Sequence, residues 1–125
     1  MTDRDDARDD ATRWVEAYER AWTSNDRNDI EILFTEDARY FTAPYRKPWE
    51  GRDAIVEAWL EDRDEPGDWH FASEVLATAG DLAFVQGRTE YLDEPRRVYS
   101  NLWIIRLGEG GRASEFTEWF MEVKD

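Results

Sequence analysis

The sequence has no cysteine and a single histidine, and these shortages exclude several kinds of site. Without thiols the chain cannot form disulfide bonds, thiolate metal sites or a cysteine nucleophile. The lone His70 has no HExxH spacing and no Ser-His-Asp set around it, so the sequence predicts neither a zinc hydrolase nor a serine hydrolase. We therefore expect no metal and no other cofactor.

Basic residues are also few, since 16 Lys and Arg stand against 30 Asp and Glu and give a formal net charge of -14. Nucleic-acid binding needs clustered Lys and Arg that neutralise phosphates, so we expect no nucleic-acid partner. Long apolar runs are missing as well, and the charged first residues do not resemble a signal peptide. These features predict a cytoplasmic protein with no membrane partner.

What the chain does contain is enough apolar material for one core. Its 125 residues have the size of one domain, and their hydrophobic fraction is 41%. We divide the chain into an acidic flexible tail at residues 1–10 and a single domain at residues 11–125. Aromatic residues are abundant, with seven Trp, five Tyr and six Phe. They indicate either an aromatic core or rigid walls around a cavity.

Three helices are predicted in the first half of the chain, because apolar residues recur there at the spacing of a helix face. The first helix carries a stripe of three aromatic residues: Trp14, Tyr18 and Trp22. A short second helix has Phe34 on its apolar face. The third helix follows Gly51 and ends before a turn at residues 62–67.

Strands are predicted mainly in the second half of the chain. Alternating apolar residues bounded by turn residues indicate five of them: 38–42, 69–78, 82–91, 98–107 and 113–123. The dipeptide Gly80-Asp81 and the glycine-rich residues 108–112 predict that the last four strands form two hairpins.

The last two predicted strands have apolar residues on both faces. Asn101 and Trp103 lie on one face of their strand, and Leu102 and Ile104 lie on the other. Three short helices can cover one face only, and an exposed apolar sheet face is a liability for a monomer. We therefore predict a homodimer that packs through the convex face of the sheet.

This order of elements resembles the nuclear transport factor 2-like superfamily, and within it the SnoaL-like branch, over nearly the whole chain. Four runs carry the resemblance: AWTSND at 21–26, LFTEDA at 33–38, GRDAI at 51–55, and GGR at 110–112 followed by EWF at 118–120. The resemblance implies an α+β fold that is cone-shaped and barrel-like, a curved antiparallel sheet with three helices from the N-terminal half covering its concave face. It also implies a pocket for a small hydrophobic organic molecule.

The limonene epoxide hydrolases of that superfamily allow a comparison residue by residue. Tyr40 falls on the tyrosine that helps to hold the reacting water in those enzymes, and Thr42 replaces the asparagine that assists it. Glu118 falls on one catalytic aspartate, whereas Gly87 and Thr89 replace the arginine and the second aspartate. The comparison argues against epoxide hydrolysis, and it implies that these five positions and Asn101 face the pocket.

Three of the pocket residues are candidates for catalysis. Glu118 is the candidate general base, because a carboxylate in an apolar cavity is desolvated and its pKa rises; an ion pair with Arg106 or Arg88 is the alternative. Asn101 is a polar group on an apolar face, where it either orients Glu118 or makes a structural hydrogen bond. The tyrosine hydroxyls of ketosteroid isomerases imply that Tyr40 donates to an oxyanion, with core packing as the alternative.

The remaining candidates are ligand-binding residues, namely Trp22, Thr42, Gly87, Thr89 and Trp103. Together these residues are consistent with three functions. The first is a cofactor-free isomerase, cyclase or dehydratase with the pocket carboxylate as its base. The second is a non-catalytic ligand-binding or accessory protein, and the third is a protein-interaction module that uses the outer sheet face. The sequence leaves the choice between the first two open.

Overall fold

The computed structural model describes residues 3–61, 68–92 and 95–124, which form three α-helices and six β-strands. The helices are α1 (Asp3–Ser24), α2 (Arg27–Glu31) and α3 (Arg52–Glu61). The strands are β1 (Phe34–Phe41), β2 (Trp49–Glu50), β3 (Trp69–Ala79), β4 (Leu82–Tyr91), β5 (Arg97–Leu107) and β6 (Ala113–Glu122). The predicted turn at residues 62–67 lies outside the described residues.

The strands form one curved, open sheet in the order β2-β1-β6-β5-β4-β3. The two predicted hairpins, β3 with β4 and β5 with β6, are confirmed. The sheet is not wholly antiparallel as expected, because β1 and β6 pair in parallel, with Tyr40 beside Phe116. A long crossover separates these two strands in sequence, so no tight turn forces them to run in opposite directions. The expected α+β class is confirmed.

Helix α1 differs from the prediction at its start. The acidic tail was expected at residues 1–10, but residues 3–10 are the first turns of the helix. Asp6 is compatible with its place in the helix, since the N-terminal end of a helix favours negative charge. The helix ends at Ser24, and Asn25 follows in the left-handed region with a φ of 51°. No helix among the described residues has the length and apolar character that spanning a membrane requires.

Helix α2 is shorter than predicted. The side chain of Asp26 caps it by accepting from the backbone N–H of Asn28 at 2.8 Å. Phe34, which was expected on the apolar face of this helix, is instead the first residue of β1, where it pairs with Ala113 of β6. The apolar run at residues 32–34 fits a helix face and a strand equally, and pairing with β6 decides for the strand.

The core lies between α1 and the inner face of β5 and β6. The indole N–H of Trp14 donates to the backbone carbonyl of Leu33 at 2.8 Å, and its ring stacks on Phe116. Trp103 of β5 is 1% exposed and packs against Trp14 and Tyr18. The aromatic stripe predicted on the first helix therefore faces the sheet.

Strands β3 and β4 allow an aromatic ring to lie directly over a glycine. A Cβ at Gly87 would lie 2.6 Å from a ring carbon of Phe71, which is closer than such atoms approach. The Phe71 ring is itself stacked on Trp103, with centroids 4.9 Å apart. The ring therefore cannot move away without disturbing the core, and residue 87 has to be glycine for reasons of space.

We expect Gly87→Ala to lower the free energy of unfolding by about 1–3 kcal/mol, because it overpacks this contact. Urea unfolding measures the change. The matched background is Phe71→Leu, which removes the ring; adding Gly87→Ala to it should cost clearly less than in the wild type. If Gly87→Ala leaves the free energy of unfolding unchanged in both backgrounds, this account of the packing is contradicted.

Candidate functional site

A cavity of about 410 Å³ lies between helices α1 and α3 and the inner face of the sheet. Nine aromatic residues contribute to its lining: Tyr18, Trp22, Tyr40, Trp49, Trp59, Tyr91, Tyr99, Trp103 and Phe120. Some of these rings are fixed by contacts behind them; Trp22 stacks on Trp69 with centroids 3.8 Å apart. A largely aromatic cavity of this volume is typical of sites for small organic molecules.

Three adjacent strands each supply one polar side chain to the wall of this cavity. The hydroxyl of Thr89 on β4 donates to Oδ1 of Asn101 on β5 at 2.7 Å. The Nδ2 group of Asn101 donates in turn to Oε2 of Glu118 on β6 at 3.1 Å. Because Thr89 bonds the oxygen of the amide, the amide presents its NH₂ group to the carboxylate. The three side chains thus form one directed hydrogen-bond chain that ends on Glu118.

Burial raises the pKa of Glu118 from 4.5 to about 7. Two neighbouring donors, the Asn101 amide and the indole N–H of Trp103, act in the opposite direction and lower this pKa in part. The Trp103 N–H is close to the carboxyl without reaching hydrogen-bond geometry, and it has no hydrogen-bond partner among the described residues. A carboxyl with a pKa near 7 exchanges its proton readily at neutral pH, as a general base must.

Neither Arg106 nor Arg88, the two partners considered in the alternative interpretation of Glu118, forms an ion pair with this carboxyl. Arg106 binds Asp81 instead, with 2.8 Å between Nη1 and Oδ1, and Arg88 is exposed. The other nearby carboxylate, Glu115, lies on the opposite face of β6 and binds Arg39. Glu118 is therefore the carboxyl that enters the cavity.

Two tyrosine hydroxyls meet in the same cavity. The Tyr18 hydroxyl on α1 lies 2.8 Å from the Tyr40 hydroxyl on β1, and both side chains are buried. Burial raises the pKa of both tyrosines, and the negative charge of Glu118 raises them further. Both hydroxyls therefore stay protonated at neutral pH, and the pair can donate a hydrogen bond to a ligand oxygen near Glu118.

Seven of the eight residues predicted for the site line the cavity: Trp22, Tyr40, Thr42, Thr89, Asn101, Trp103 and Glu118. Gly87 does not, because the Phe71 ring covers it. Sequence reasoning missed several lining residues. Tyr18 was predicted only as part of the aromatic stripe of the first helix, although its spacing from Trp22, a predicted ligand-binding residue, placed both on one helix face. Arg97 and Tyr99 share the strand parity of Asn101, and that signal could have found them.

The raised pKa of Glu118 predicts how stability depends on pH. The folded protein releases this proton near pH 7, whereas the unfolded chain releases it near 4.5. The stability that the protonated carboxyl confers is therefore complete below about pH 4.5 and is lost as the pH rises through 7. Glu118→Gln removes that loss, so we expect a free energy of unfolding about 1–3 kcal/mol above wild type at pH 8 and near wild type at pH 4.

Urea unfolding at both pH values measures this difference. The matched control is Glu115→Gln, which neutralises a carboxylate on the other face of the same strand and should give no gain at pH 8. A Glu118→Gln variant that is less stable than wild type at pH 8 would show that the carboxylate is well solvated or paired.

Comparison with known proteins agrees with this geometry at the level of fold. A family model described as a SnoaL-like domain matches residues 15–116. No curated protein sequence matches the chain. A candidate ketosteroid isomerase from Kribbella flavida DSM 17836 is similar in structure, with a TM-score of 0.70, 23% identity, and coverage of 100% of this chain and 84% of that one.

Two further solved structures share the fold. An LEH-like epoxide hydrolase from M. tuberculosis has a TM-score of 0.68 at 14% identity, covering 96% of this chain and 86% of its own. A ketosteroid isomerase-like protein from Erwinia carotovora atroseptica SCRI1043 has a TM-score of 0.64 at 20% identity, covering 91% and 94%. At these identities the similarity shows the fold alone. The family model extends over well more than half of the sequence, and the chain therefore belongs to the SnoaL-like domain family.

Proposed function

We propose that the protein is a cofactor-free enzyme in which Glu118 moves a proton within a small organic molecule, as an isomerase does. One observation carries the proposal: the carboxyl with a pKa raised to about 7 opens into the same aromatic cavity as a pair of neutral tyrosine hydroxyls. A base and an electrophilic donor are the two groups that proton abstraction next to a carbonyl requires. The shared fold of the K. flavida protein fits this reaction class.

The chemical step uses only groups that line the cavity. The Glu118 carboxylate takes a proton from the carbon beside the substrate carbonyl, and the C–H electron pair becomes the C=C bond of an enolate. The carbonyl oxygen takes up the negative charge and accepts a hydrogen bond from the Tyr40 hydroxyl, which Tyr18 supports. In a substrate with a C=C bond beyond that carbon the enolate is a dienolate, and Glu118 returns the proton to the far carbon of this bond, whose π electrons form the new C–H bond. The remaining C=C bond then lies next to the re-formed carbonyl, the carboxylate is regenerated, and no co-reactant is consumed.

Isomerisation is the reaction that one carboxyl can complete. Cyclases and dehydratases begin with the same proton abstraction, but dehydration must also protonate a departing hydroxyl group. Among the cavity residues that the structure describes, Glu118 has a pKa near neutrality. Tyr40 is a much weaker acid, because burial and the charge of Glu118 raise its pKa. A single proton carrier favours moving one proton from carbon to carbon.

The test is hydrogen exchange at carbons next to a ketone. The wild type should catalyse exchange of these protons of 4-phenylcyclohexanone with D₂O, followed by proton NMR, with a rate that rises with pH and levels off above about 7. Glu118→Gln should lower the catalysed rate by about 10²-fold or more, because it removes the base. Tyr40→Phe should lower it by about 10-fold or more, because it removes an oxyanion donor.

Glu115→Gln is the control and should keep the wild-type rate. Equal rates in the wild type and Glu118→Gln would contradict the role of this carboxyl. Binding of the ketone by the wild type with no catalysed exchange would contradict the enzymatic proposal and favour the non-catalytic binding protein.

We also propose that two copies pair through the outer face of β5 and β6, and that this homodimer is the form expected in the cytoplasm. On that face Trp119 and Met121 are 47% and 75% exposed. Leu102 is the register partner of Trp119 and extends the apolar surface onto β5. Exposed apolar patches of this kind mark association surfaces.

Trp119→Lys should therefore convert the protein to a monomer, because it places a charge in the centre of the apolar surface. Sedimentation equilibrium measures the mass. The control is Ile32→Lys, which changes a residue of the same exposure, 47%, between α2 and β1 and not on β5 or β6. A wild-type protein that sediments as a monomer at high micromolar concentration would contradict the proposal.

A further inference from the structure

The exposure of residues along β5 and β6 shows which end of the cavity is its mouth. On the inner face of β5, exposure rises from Trp103 at 1% through Asn101 at 7% to Tyr99, which is half-buried. On the inner face of β6 it rises from the partly exposed Glu118 to Phe120 at 52%. The two gradients run in the same direction, because Trp103 pairs with Glu118 and Asn101 pairs with Phe120 in the register of these strands. The mouth therefore lies at Tyr99 and Phe120.

Phe120 is an apolar ring at this mouth that neither the fold nor the proposed dimer covers. Among the exposed large apolar residues in the described part of the chain, it is the one that lines the cavity. Strand alternation directs it to the inner face, opposite to Trp119 and Met121 of the proposed dimer surface. Tyr99 contacts its ring edge to face, with centroids 5.9 Å apart, and Tyr91 contacts Tyr99 in the same way. The ring is thus held in place with half of its surface still open.

The distance between Phe120 and Glu118 sets the length of a ligand that contacts both residues. They are two residues apart on one face of β6, which is about 7 Å along the strand. The cavity volume of about 410 Å³ lies in the range that encloses drug-sized molecules, so there is room for more than a single ring beside Glu118. Contact with an apolar group would remove the open surface of Phe120 from water, which is favourable. The outer end of the ligand is therefore expected to be apolar.

We propose that Phe120 is a specificity-determining residue, which binds an apolar ring located about 7 Å from the carbonyl group of the ligand. The ligand class is then a ketone with a ring-containing apolar body, and ketones without such a body bind less tightly. The ketone end of the ligand rests on the proposed function. The apolar end rests on the position and exposure of Phe120, so the two parts can fail separately.

The test compares the affinities of 4-phenylcyclohexanone and 4-methylcyclohexanone by NMR chemical-shift titration, which measures weak binding. Both probes carry the same ketone, but only the phenyl group is long enough to reach Phe120. The wild type should bind the phenyl ketone about tenfold more tightly or better, because it buries more apolar surface. Phe120→Ala should weaken binding of the phenyl ketone about fivefold, as expected for the loss of an aromatic contact, and should leave binding of the methyl ketone unchanged.

Ile32→Ala is the control, because it removes an apolar side chain of similar exposure, 47%, that lies outside the cavity lining. It should keep the wild-type affinities for both ketones. Unchanged binding of the phenyl ketone by Phe120→Ala would overturn the proposal. An equal loss of affinity for both ketones would also overturn it, since Phe120 would then only maintain the shape of the cavity.

Exchange of the ketone α-protons with D₂O gives the separate readout of the proposed function, because binding requires no proton transfer. A phenyl preference that depends on Phe120, without catalysed exchange, supports the ligand class and contradicts the enzyme. Catalysed exchange without such a preference does the reverse. Failure of both ketones to bind would contradict both proposals.

Discussion

The packing of the α1 aromatic stripe on the inner face of β5 and β6 is the interaction on which both the core and the cavity depend. Trp14 and Tyr18 each contact Trp103 and Phe116, with ring centroids 4.6 to 6.5 Å apart. These contacts hold the helix over the sheet, and they bring the Tyr18 hydroxyl to that of Tyr40. One set of rings therefore supplies the apolar burial that stabilises the domain and the walls that exclude water from the site.

Glu118 is the unfavourable group that this packing encloses. Its ionised form loses hydration among the rings, and one hydrogen bond from Asn101 compensates for part of that loss. Thr89 supports this hydrogen bond, because it bonds the amide oxygen of Asn101 and so keeps the amide NH₂ group directed at the carboxylate. An amide turned the other way would place an oxygen against the carboxylate. Carboxyls whose pKa is shifted in this way, by burial against hydrogen bonding, are typical of functional sites.

Local periodicity predicted the elements whose neighbours are close in sequence. Helical spacing predicted the sheet-facing stripe of α1, and strand alternation together with the family resemblance placed Asn101 and Glu118 on the inner face. The family resemblance also placed Gly87 in the pocket, but a resemblance at one position cannot show what the next strand contributes, and Phe71 covers this residue. Nor does local pattern report pairing between distant strands, which is why the parallel contact of β1 with β6 was missed. The role of Tyr18 was missed for the same reason, because its hydroxyl partner lies 22 residues away.

The central claim is that the fold holds the Glu118 carboxyl in a water-poor cavity and thereby makes it a base for neutral pH. Titration of the side-chain carboxyl carbons by ¹³C NMR in glutamate-labelled protein tests it most directly, with Glu118→Gln assigning the resonance. The account predicts a resonance that titrates with a pKa near 7, as burial requires. A Glu118 resonance that titrates near 4.5, the value of an ordinary solvated glutamate, would contradict it.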